Sequence, residues 1–468
     1  MLFNTPSFLW FLVIVYLVFR LLPTGRPRTL FLIAASYVFY MSWNPPFVLL
    51  LMFTTILDYN VALAMQRAQK PRARKALLMV SLVANLGVLS FFKYGNFLGD
   101  NFQALLRMLG IQFHPLHLDI ILPLAISFYT FQAMSYTIDC YRRTREPTRD
   151  FPAYLLYVTF FPELIAGPIV RSTQFVPQVE RHQRFQWPGF HMGCNLIMMG
   201  LVKKMLLADN LAIYVGQVYA RPGWASPAAA WIATYAFAGQ IYCDFSGYTD
   251  IARGLAYLFG YRLPINFNLP YLATGFRDFW RRWHITLSTW LRDYLYIPLG
   301  GSRRSTQRNY FNLFATMLLG GLWHGANWTF VIWGGLHGAY LTAERAVFGM
   351  RGLPPLSGWR RLAAVLVTFH LTCIAWVFFR AQTFSDAMVL LRAMLMPWQG
   401  STGALPVPLS ASLPLAGLAL AHGLACWRSW DPTLRAYPRW LIPLGYAAAA
   451  AAIMVYGAVG AEFIYFRF

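Results

Sequence analysis

His324 lies in Trp323-His-Gly-Ala-Asn327, within a stretch, 310–343, that is otherwise almost wholly apolar. Burying a polar side chain in such a stretch is costly, which makes it a candidate for chemistry. Imidazole titrates near neutral pH and is the side chain best suited to lift a proton from a hydroxyl. Gly320, Gly321 and Gly325 beside it allow a backbone or a ligand to come close. The competing reading is a histidine that only hydrogen-bonds between helices. His284 is the second candidate, in the run Arg277-Asp-Phe-Trp-Arg-Arg-Trp-His-Ile-Thr-Leu-Ser-Thr-Trp-Leu-Arg-Asp293. Helical spacing puts Arg277, Arg281, His284, Ser288 and Arg292 on one face and Trp280, Trp283, Leu287, Leu291 and Tyr294 on another. The pattern predicts one amphipathic helix at the cytoplasmic membrane surface. Its basic face suits phosphates, such as those of an acyl-CoA; the alternative is anchoring to anionic lipid.

Other polar residues carry weaker signals. Asp244 and Asp250 interrupt one apolar run and Lys203 and Lys204 another, which reads best as an internal ion-pair network fixing helix packing. Glu163 is assigned no chemistry. His114-Pro-Leu-His-Leu-Asp119 matches a His-x4-Asp acyltransferase pattern, but the pattern is short, and here it precedes an apolar run on the outer side. A glycine-rich phosphate loop, HExxH and GxSxG are all absent from the sequence. The five cysteines (Cys140, Cys194, Cys243, Cys373, Cys426) form no CxxC, so neither a disulfide framework nor a metal site is expected.

Positioning these residues falls to membrane helices. Of 468 residues 58% are hydrophobic and only 12% charged, about half the usual share, and mean hydropathy is +0.45. A soluble globule has too little interior for that load, and disorder is excluded for the same reason. At roughly 20 residues per crossing the chain has material for about 10–13 transmembrane or re-entrant helices. It reads as an all-α polytopic protein with a single membrane domain, 1–468. The net charge of +22 sits in short loops between apolar runs, as positive-inside orientation requires. With no nucleic-acid-binding fold signature, nucleic acid is not an expected partner. The first basic residue, Arg20, follows the apolar run Phe8–Phe19, so this segment is expected to stay as a helix rather than act as a signal peptide.

Loop charges alternate. Arg26 and Arg28 are followed by the uncharged Ser42-Trp-Asn-Pro-Pro46, then by Arg67, Lys70, Arg72, Arg74 and Lys75, which places the N-terminus outside. Residues 277–308 form a cytoplasmic interfacial region. The stretch 310–343 has basic flanks at both ends, and as one helix it would be about 50 Å long, against a hydrocarbon core of about 30 Å. A hairpin is therefore expected, with Gly320–Asn327 deep in the membrane. The segment 151–170 reads as a second, partial hairpin. Apolar runs at 362–379, 408–427 and 440–458 then carry the C-terminus outside. No internal repeat is visible.

The run Phe279-Trp-Arg-Arg-Trp-His-Ile-Thr-Leu-Ser-Thr-Trp-Leu-Arg-Asp-Tyr-Leu-Tyr296 resembles the membrane-bound O-acyltransferase (MBOAT) family, as does Leu318-Leu-Gly-Gly-Leu-Trp-His-Gly-Ala-Asn-Trp328. Within it the chain is most similar to the bacterial polysaccharide O-acetylation branch, which includes alginate O-acetylation subunits. Phe91-Phe-Lys-Tyr94, Ile126-Ser-Phe-Tyr129, Leu164-Ile-Ala-Gly-Pro168, Asp244-Phe-Ser-Gly-Tyr248 and Asn266-Phe-Asn268 support it. The resemblance implies that His324 is catalytic and His284 its distal partner. It also implies a helical shell around a tunnel with a cytoplasmic donor mouth and a periplasmic acceptor mouth. Arg277, Arg281, Ser288, Arg292, Trp323 and Asn327 are the expected substrate- or donor-binding residues. Phe463-Ile-Tyr-Phe-Arg-Phe468 matches a C-terminal Phe-x-Tyr-x-x-Phe motif of related systems, which makes Tyr465 a candidate acyl carrier; the alternative is an interfacial aromatic anchor.

The expected activity is transfer of acetyl groups from cytoplasmic acetyl-CoA across the bacterial inner membrane, for O-acetylation of alginate or a similar exopolysaccharide. Acetyl-CoA is the expected donor substrate, with no bound cofactor and no metal. Expected partners are periplasmic acetyltransferase or transfer proteins, a polysaccharide synthesis complex and membrane lipid. Both termini are expected in the periplasm. The alternatives are an MBOAT enzyme acylating peptidoglycan, teichoic acid, lipid or protein, a transporter or flippase with a proton relay, and a non-catalytic scaffold.

Overall fold

The computed structural model describes residues 1–115, 117–165, 167–181, 185–349, 352–396, 409–427, 441–458 and 463–464. Every regular element among them is helical. Phe47–Arg67, Pro71–Met108 and Gly358–Arg380 are long and apolar enough to cross a bilayer, and Pro6–Leu21, Ser412–His422 and Pro443–Tyr456 are shorter apolar helices. Large apolar side chains such as Trp10, Leu49, Val83 and Leu362 are exposed along these helices. Water would penalise that arrangement; lipid does not. The chain is an all-α, multi-pass membrane protein, and its contacts divide it into two compact units.

One unit comprises Met1–Cys194 and Ala252–Pro264. Its helix starts carry the chemistry that ends need: Thr5 accepts a hydrogen bond from the Phe8 N–H and Asp150 from the Ala153 N–H. Proline occupies the first turn of Arg26–Met41, Pro71–Leu89 and Phe151–Thr159, where its missing N–H costs nothing. Arg74, in the basic stretch of the sequence, sits near the start of Pro71–Leu89 and is buried rather than solvated. Its guanidinium donates to the carbonyls of Met65 (2.7 Å), Cys140 (3.2 Å) and Tyr141 (3.0 Å), satisfying the open ends of two helices and complementing their dipoles. Between Phe47–Arg67 and Pro71–Leu89, Asp58 accepts from Ser81 Oγ (2.6 Å) and Asn85 Nδ2 (2.9 Å). The segment 151–170 breaks at Phe160 into the short helix Phe161–Leu164, where buried Glu163 accepts from Gln132 Nε2 at 3.2 Å.

The other unit comprises Asn195–Ile251 and Ile265–Phe468. Thr306–His324 and Trp328–Phe348 are two helices joined by Gly325–Asn327. Ser305 caps the first through the Arg308 N–H (3.4 Å) and Asn327 caps the second through the Thr329 N–H (3.0 Å). The arms meet backbone to backbone. A Cβ on Gly321 would collide with the Phe330 carbonyl and stand 2.9 Å from Gly334 Cα; one on Gly334 would strike the Met317 carbonyl. Small residues at a helix seam allow this approach in a membrane, where packing rather than the hydrophobic effect drives association.

One sequence expectation is corrected. Residues 277–292 do not form a continuous helix: Phe276–Arg282 ends at Trp283, His284 adopts a left-handed conformation (φ 41°), and Ile285–Leu291 follows, running into a π-helical turn, Arg292–Tyr296. A continuous helix would have put His284 on the same face as the exposed arginines. The break turns the imidazole inward instead, where it is fully buried.

Gly321→Val is expected to overpack the seam and cost about 1–3 kcal/mol, read as a lower thermal-unfolding midpoint in detergent. Gly335→Ala is the matched control: its Cβ would lie 3.7 Å from the Leu318 side chain, an ordinary contact, and is expected to leave the midpoint unchanged.

Candidate active site

His284 is held by the loop that precedes the broken helix. The Ile285 N–H donates to the Asn266 carbonyl (3.0 Å) and the Asn268 N–H to the Arg282 carbonyl (2.9 Å), so two stretches of irregular backbone satisfy one another. Asn266 Oδ1 receives the Thr286 N–H (3.1 Å) and the Thr286 hydroxyl (2.9 Å) and lies 3.2 Å from His284 Nδ1. The Thr286 N–H can only donate, so the amide atom facing it is the oxygen, and His284 Nδ1 must carry the proton. That fixes the tautomer and leaves Nε2 as the acceptor nitrogen. A non-glycine residue at positive φ is costly by roughly 1–2 kcal/mol, and such strain concentrates where a side chain must be aimed.

His324 ends the first arm of the hairpin and is 3% exposed. Its ring is enclosed by those of Trp323 (centroids 4.9 Å apart), Trp333 (5.0 Å) and Phe379 (5.2 Å), all close to edge-on. Trp323 also approaches His284, at 6.2 Å, so one indole lies against both imidazoles. The two histidines, 40 residues apart in sequence (324 − 284), thus share an aromatic neighbour.

Beside this cluster is a cavity of about 490 Å³ whose walls include Arg277, Arg281, Ser288, Arg292, Arg345 and Glu344. Four guanidinium groups against one carboxylate give it a positive balance that suits an anion. Glu344 also ties down backbone. Its carboxylate accepts the Phe276 N–H (2.5 Å) and the Arg277 N–H (3.3 Å), holding the start of the arginine-bearing helix. Thr316 and Met317, on the first arm of the hairpin, also line the cavity. At 1.5 Å per residue they stand roughly 10 Å along the axis from His324. Trp280, another wall residue, lies 5.9 Å from Trp333, which in turn touches His324. Cavity and imidazole are therefore linked by one hairpin arm and by a pair of indoles.

The residues expected from sequence have four different outcomes. Arg277, Arg281, Ser288 and Arg292 line the cavity, and His324, Trp323 and His284 form the aromatic cluster. Asn327 does neither: it caps the return helix and donates to the Gln382 carbonyl (3.0 Å). Tyr465 lies outside the described residues. His114 and Asp119 are exposed, and the neighbouring His117 pairs with Asp100 at 3.1 Å. Sequence reasoning missed Asn266, Trp333, Phe379 and Glu344 as site residues. The Asn266-Phe-Asn268 pattern was a usable signal for the first; the others reach the site only through tertiary packing.

Comparison with known proteins identifies the family. Residues 146–384 match the membrane-bound O-acyltransferase family. A probable alginate O-acetylase AlgI of Pseudomonas aeruginosa is 42% identical over 407 residues, 85% of this chain and 76% of that protein. A peptidoglycan O-acetyltransferase of Helicobacter pylori is 38% identical over 431 residues, 84% of this chain and 80% of that protein. A teichoic acid D-alanyltransferase of Bacillus subtilis is 26% identical over 287 residues, covering 58% and 71% respectively. The family match spans both histidines, the arginine-lined cavity and the whole hairpin. The chain belongs to the membrane-bound O-acyltransferase family and is an O-acyltransferase.

Proposed function

We propose that this protein moves acetyl groups from cytoplasmic acetyl-CoA across the bacterial inner membrane for O-acetylation of an extracytoplasmic polysaccharide, alginate or a similar exopolysaccharide. The observation that carries the reading is the placement of His324 in an aromatic shell joined by its own helix to an arginine-lined cavity. The four arginines suit the phosphates of the donor, and the concentration of basic loops argues that this mouth faces the cytoplasm, with both termini in the periplasm. The close approach of Trp323, Trp333 and Phe379 favours a short acyl group over a long chain.

In the reaction, the donor thioester reaches His324 and an acceptor hydroxyl arrives from the other side. His324 takes the hydroxyl proton as the oxygen attacks the acetyl carbonyl. The C–S bond breaks, and the proton passes to the departing thiolate, giving an acetyl ester and free thiol. His284, with Nδ1–H fixed on Asn266, orients the donor. Exclusion of bulk water by the aromatic shell limits hydrolysis of the thioester. Tyr465 is the proposed first acceptor, from which a periplasmic acetyltransferase passes the group to a polymer made by a polysaccharide synthesis complex. Phe463 and Ile464, just before it, are buried in the same unit as the two histidines, which supports a tail that reaches the site.

A second reading is peptidoglycan as the polymer, favoured by the Helicobacter pylori relative. Sugar analysis of the ester-bearing material separates the two: uronate esters support the exopolysaccharide and muramate esters the cell wall.

Three outcomes are expected. His324→Ala, at equal protein level, lowers polymer acetylation by roughly 10²–10⁴-fold; undiminished acetylation removes His324 from the chemistry. Arg281→Glu raises the KM for acetyl-CoA with little change in kcat, measured as thiol release by purified protein. Tyr465→Phe abolishes covalent label on the protein after incubation with labelled acetyl-CoA, read by mass analysis; label retained in full rejects the carrier role.

A further inference from the structure

The last described residues of the chain are not on the surface. Phe463 is fully buried and Ile464 is 3% exposed. The Phe463 ring packs 4.4 Å from Tyr248 and 6.1 Å from Phe245, and Phe245 meets His284 edge-on at 4.7 Å. The Ile464 N–H donates to Asp244 Oδ2 at 2.8 Å, across 220 positions of sequence. This bond is unusual in what receives it. Asp244 is 2% exposed and its other oxygen, Oδ1, lies 2.9 Å from the ammonium of Lys204, which also holds Asp209 at 2.8 Å. A carboxylate at that depth stays ionised only when a cation and hydrogen-bond donors answer it. Lys204 supplies the cation, and the C-terminal backbone supplies a donor.

The elements around the triad are shaped for the same purpose. Lys203 and Lys204 are consecutive, and an ordinary helix would send them some 100° apart. They lie in the π-helical turn Val202–Ala208 and diverge, with Lys203 on Asp250 (2.6 Å) and Lys204 on Asp244 and Asp209. Single π-helical turns inside helices recur at functional positions. Gly200 and Gly247 let this turn come against Pro227–Leu258: a Cβ on Gly247 would stand 2.9 Å from the Gly200 carbonyl. The same π-helical turn guides the incoming tail, since the Met205 carbonyl accepts the Ala458 N–H at 3.2 Å.

We propose that Asp244, neutralised by Lys204, is the receptor that docks Phe463–Ile464 one aromatic ring away from His284, and so acts as a positioning residue for the acyl-carrying segment of the chain. The inference rests on the reading of Tyr465, the next residue in sequence, as acyl carrier. The bond asks nothing of the Ile464 side chain beyond its fit, only of the backbone N–H. A buried charge-assisted hydrogen bond of this kind both holds and aims the segment.

Asp244→Asn breaks a buried ion network and is liable to unfold the protein, so the decisive variant is Ile464→Pro. It removes the N–H and leaves Lys204, Asp209 and Asp244 intact. Ile464→Val keeps the N–H and serves as the conservative rescue. Purified wild type and variants are incubated with labelled acetyl-CoA, and label on the peptide containing Tyr465 is quantified by mass analysis, with thermal unfolding in detergent as the folding control. The expected result is at least a tenfold fall in label for Ile464→Pro at an unchanged unfolding midpoint, and wild-type label for Ile464→Val. Wild-type label in Ile464→Pro overturns the docking role of Asp244 while leaving the carrier reading in place. Full label in Tyr465→Phe overturns the carrier reading itself, and the inference falls with it. A fall of equal size in Ile464→Val also overturns the inference, since that variant retains the bond.

Discussion

His324 can end a helix inside an aromatic shell only because the two arms of its hairpin touch backbone to backbone at Gly321 and Gly334. Any side chain at either position would push the arms apart. Trp333 and Phe330, on the return arm, would then move away from the imidazole and from Phe379, and the packing that encloses the ring would open. The same seam fixes the distance between His324 and the cavity walls at Thr316 and Met317, since all three lie on one arm. Shell, cavity and reactive nitrogen are therefore positioned by a contact that itself contains no reactive group.

A second constraint is polar accounting. Lipid offers no hydrogen bonds, so each buried polar group must find its answer within the protein. The structure meets much of this demand around the sites described with a few multivalent groups. Asn266 Oδ1 serves Thr286 twice and His284 once; Arg74 serves three carbonyls; Lys204 serves two carboxylates. For His284 the consequence is chemical as well as structural. Its proton is held on Nδ1 by a neighbour that can only accept, and Nε2 is left as the acceptor nitrogen.

Much of this is legible in the sequence, and the parts that are not share a cause. Helices read well because continuous apolar runs, unlike the alternating pattern of a barrel strand, can satisfy their backbone in lipid only as helices. Basic residues at both ends of 310–343, with Gly320, Gly321 and Gly325 between, are enough to suggest a reversal there. The direction of His284 is not legible. A count at 3.6 residues per turn assumes an unbroken helix, and the positive φ at His284 has no signature in residue type. Asn266 is 18 residues away and meets His284 only because Ile285 and Asn268 make backbone bonds across the break. Trp333 and Phe379 come from other helices, where an aromatic residue in an apolar run looks like any other. The ion-pair network of Lys203 and Lys204 with Asp244 and Asp250 is legible as such, but the π-helical turn Val202–Ala208 that carries both lysines is not.

For the proposed transfer, a donor from one compartment and an acceptor from the other must meet at His324. Membrane vesicles of known sidedness test this most directly. Labelled acetyl-CoA is given from outside to inside-out and to right-side-out vesicles, and ester label facing the periplasmic side is measured in each. Label is expected when the donor meets the cytoplasmic face, with its loss in vesicles bearing His324→Ala, and none when the donor meets only the periplasmic face. Equal labelling from either face, or labelling that persists without the imidazole, would contradict a meeting of the two substrates at His324.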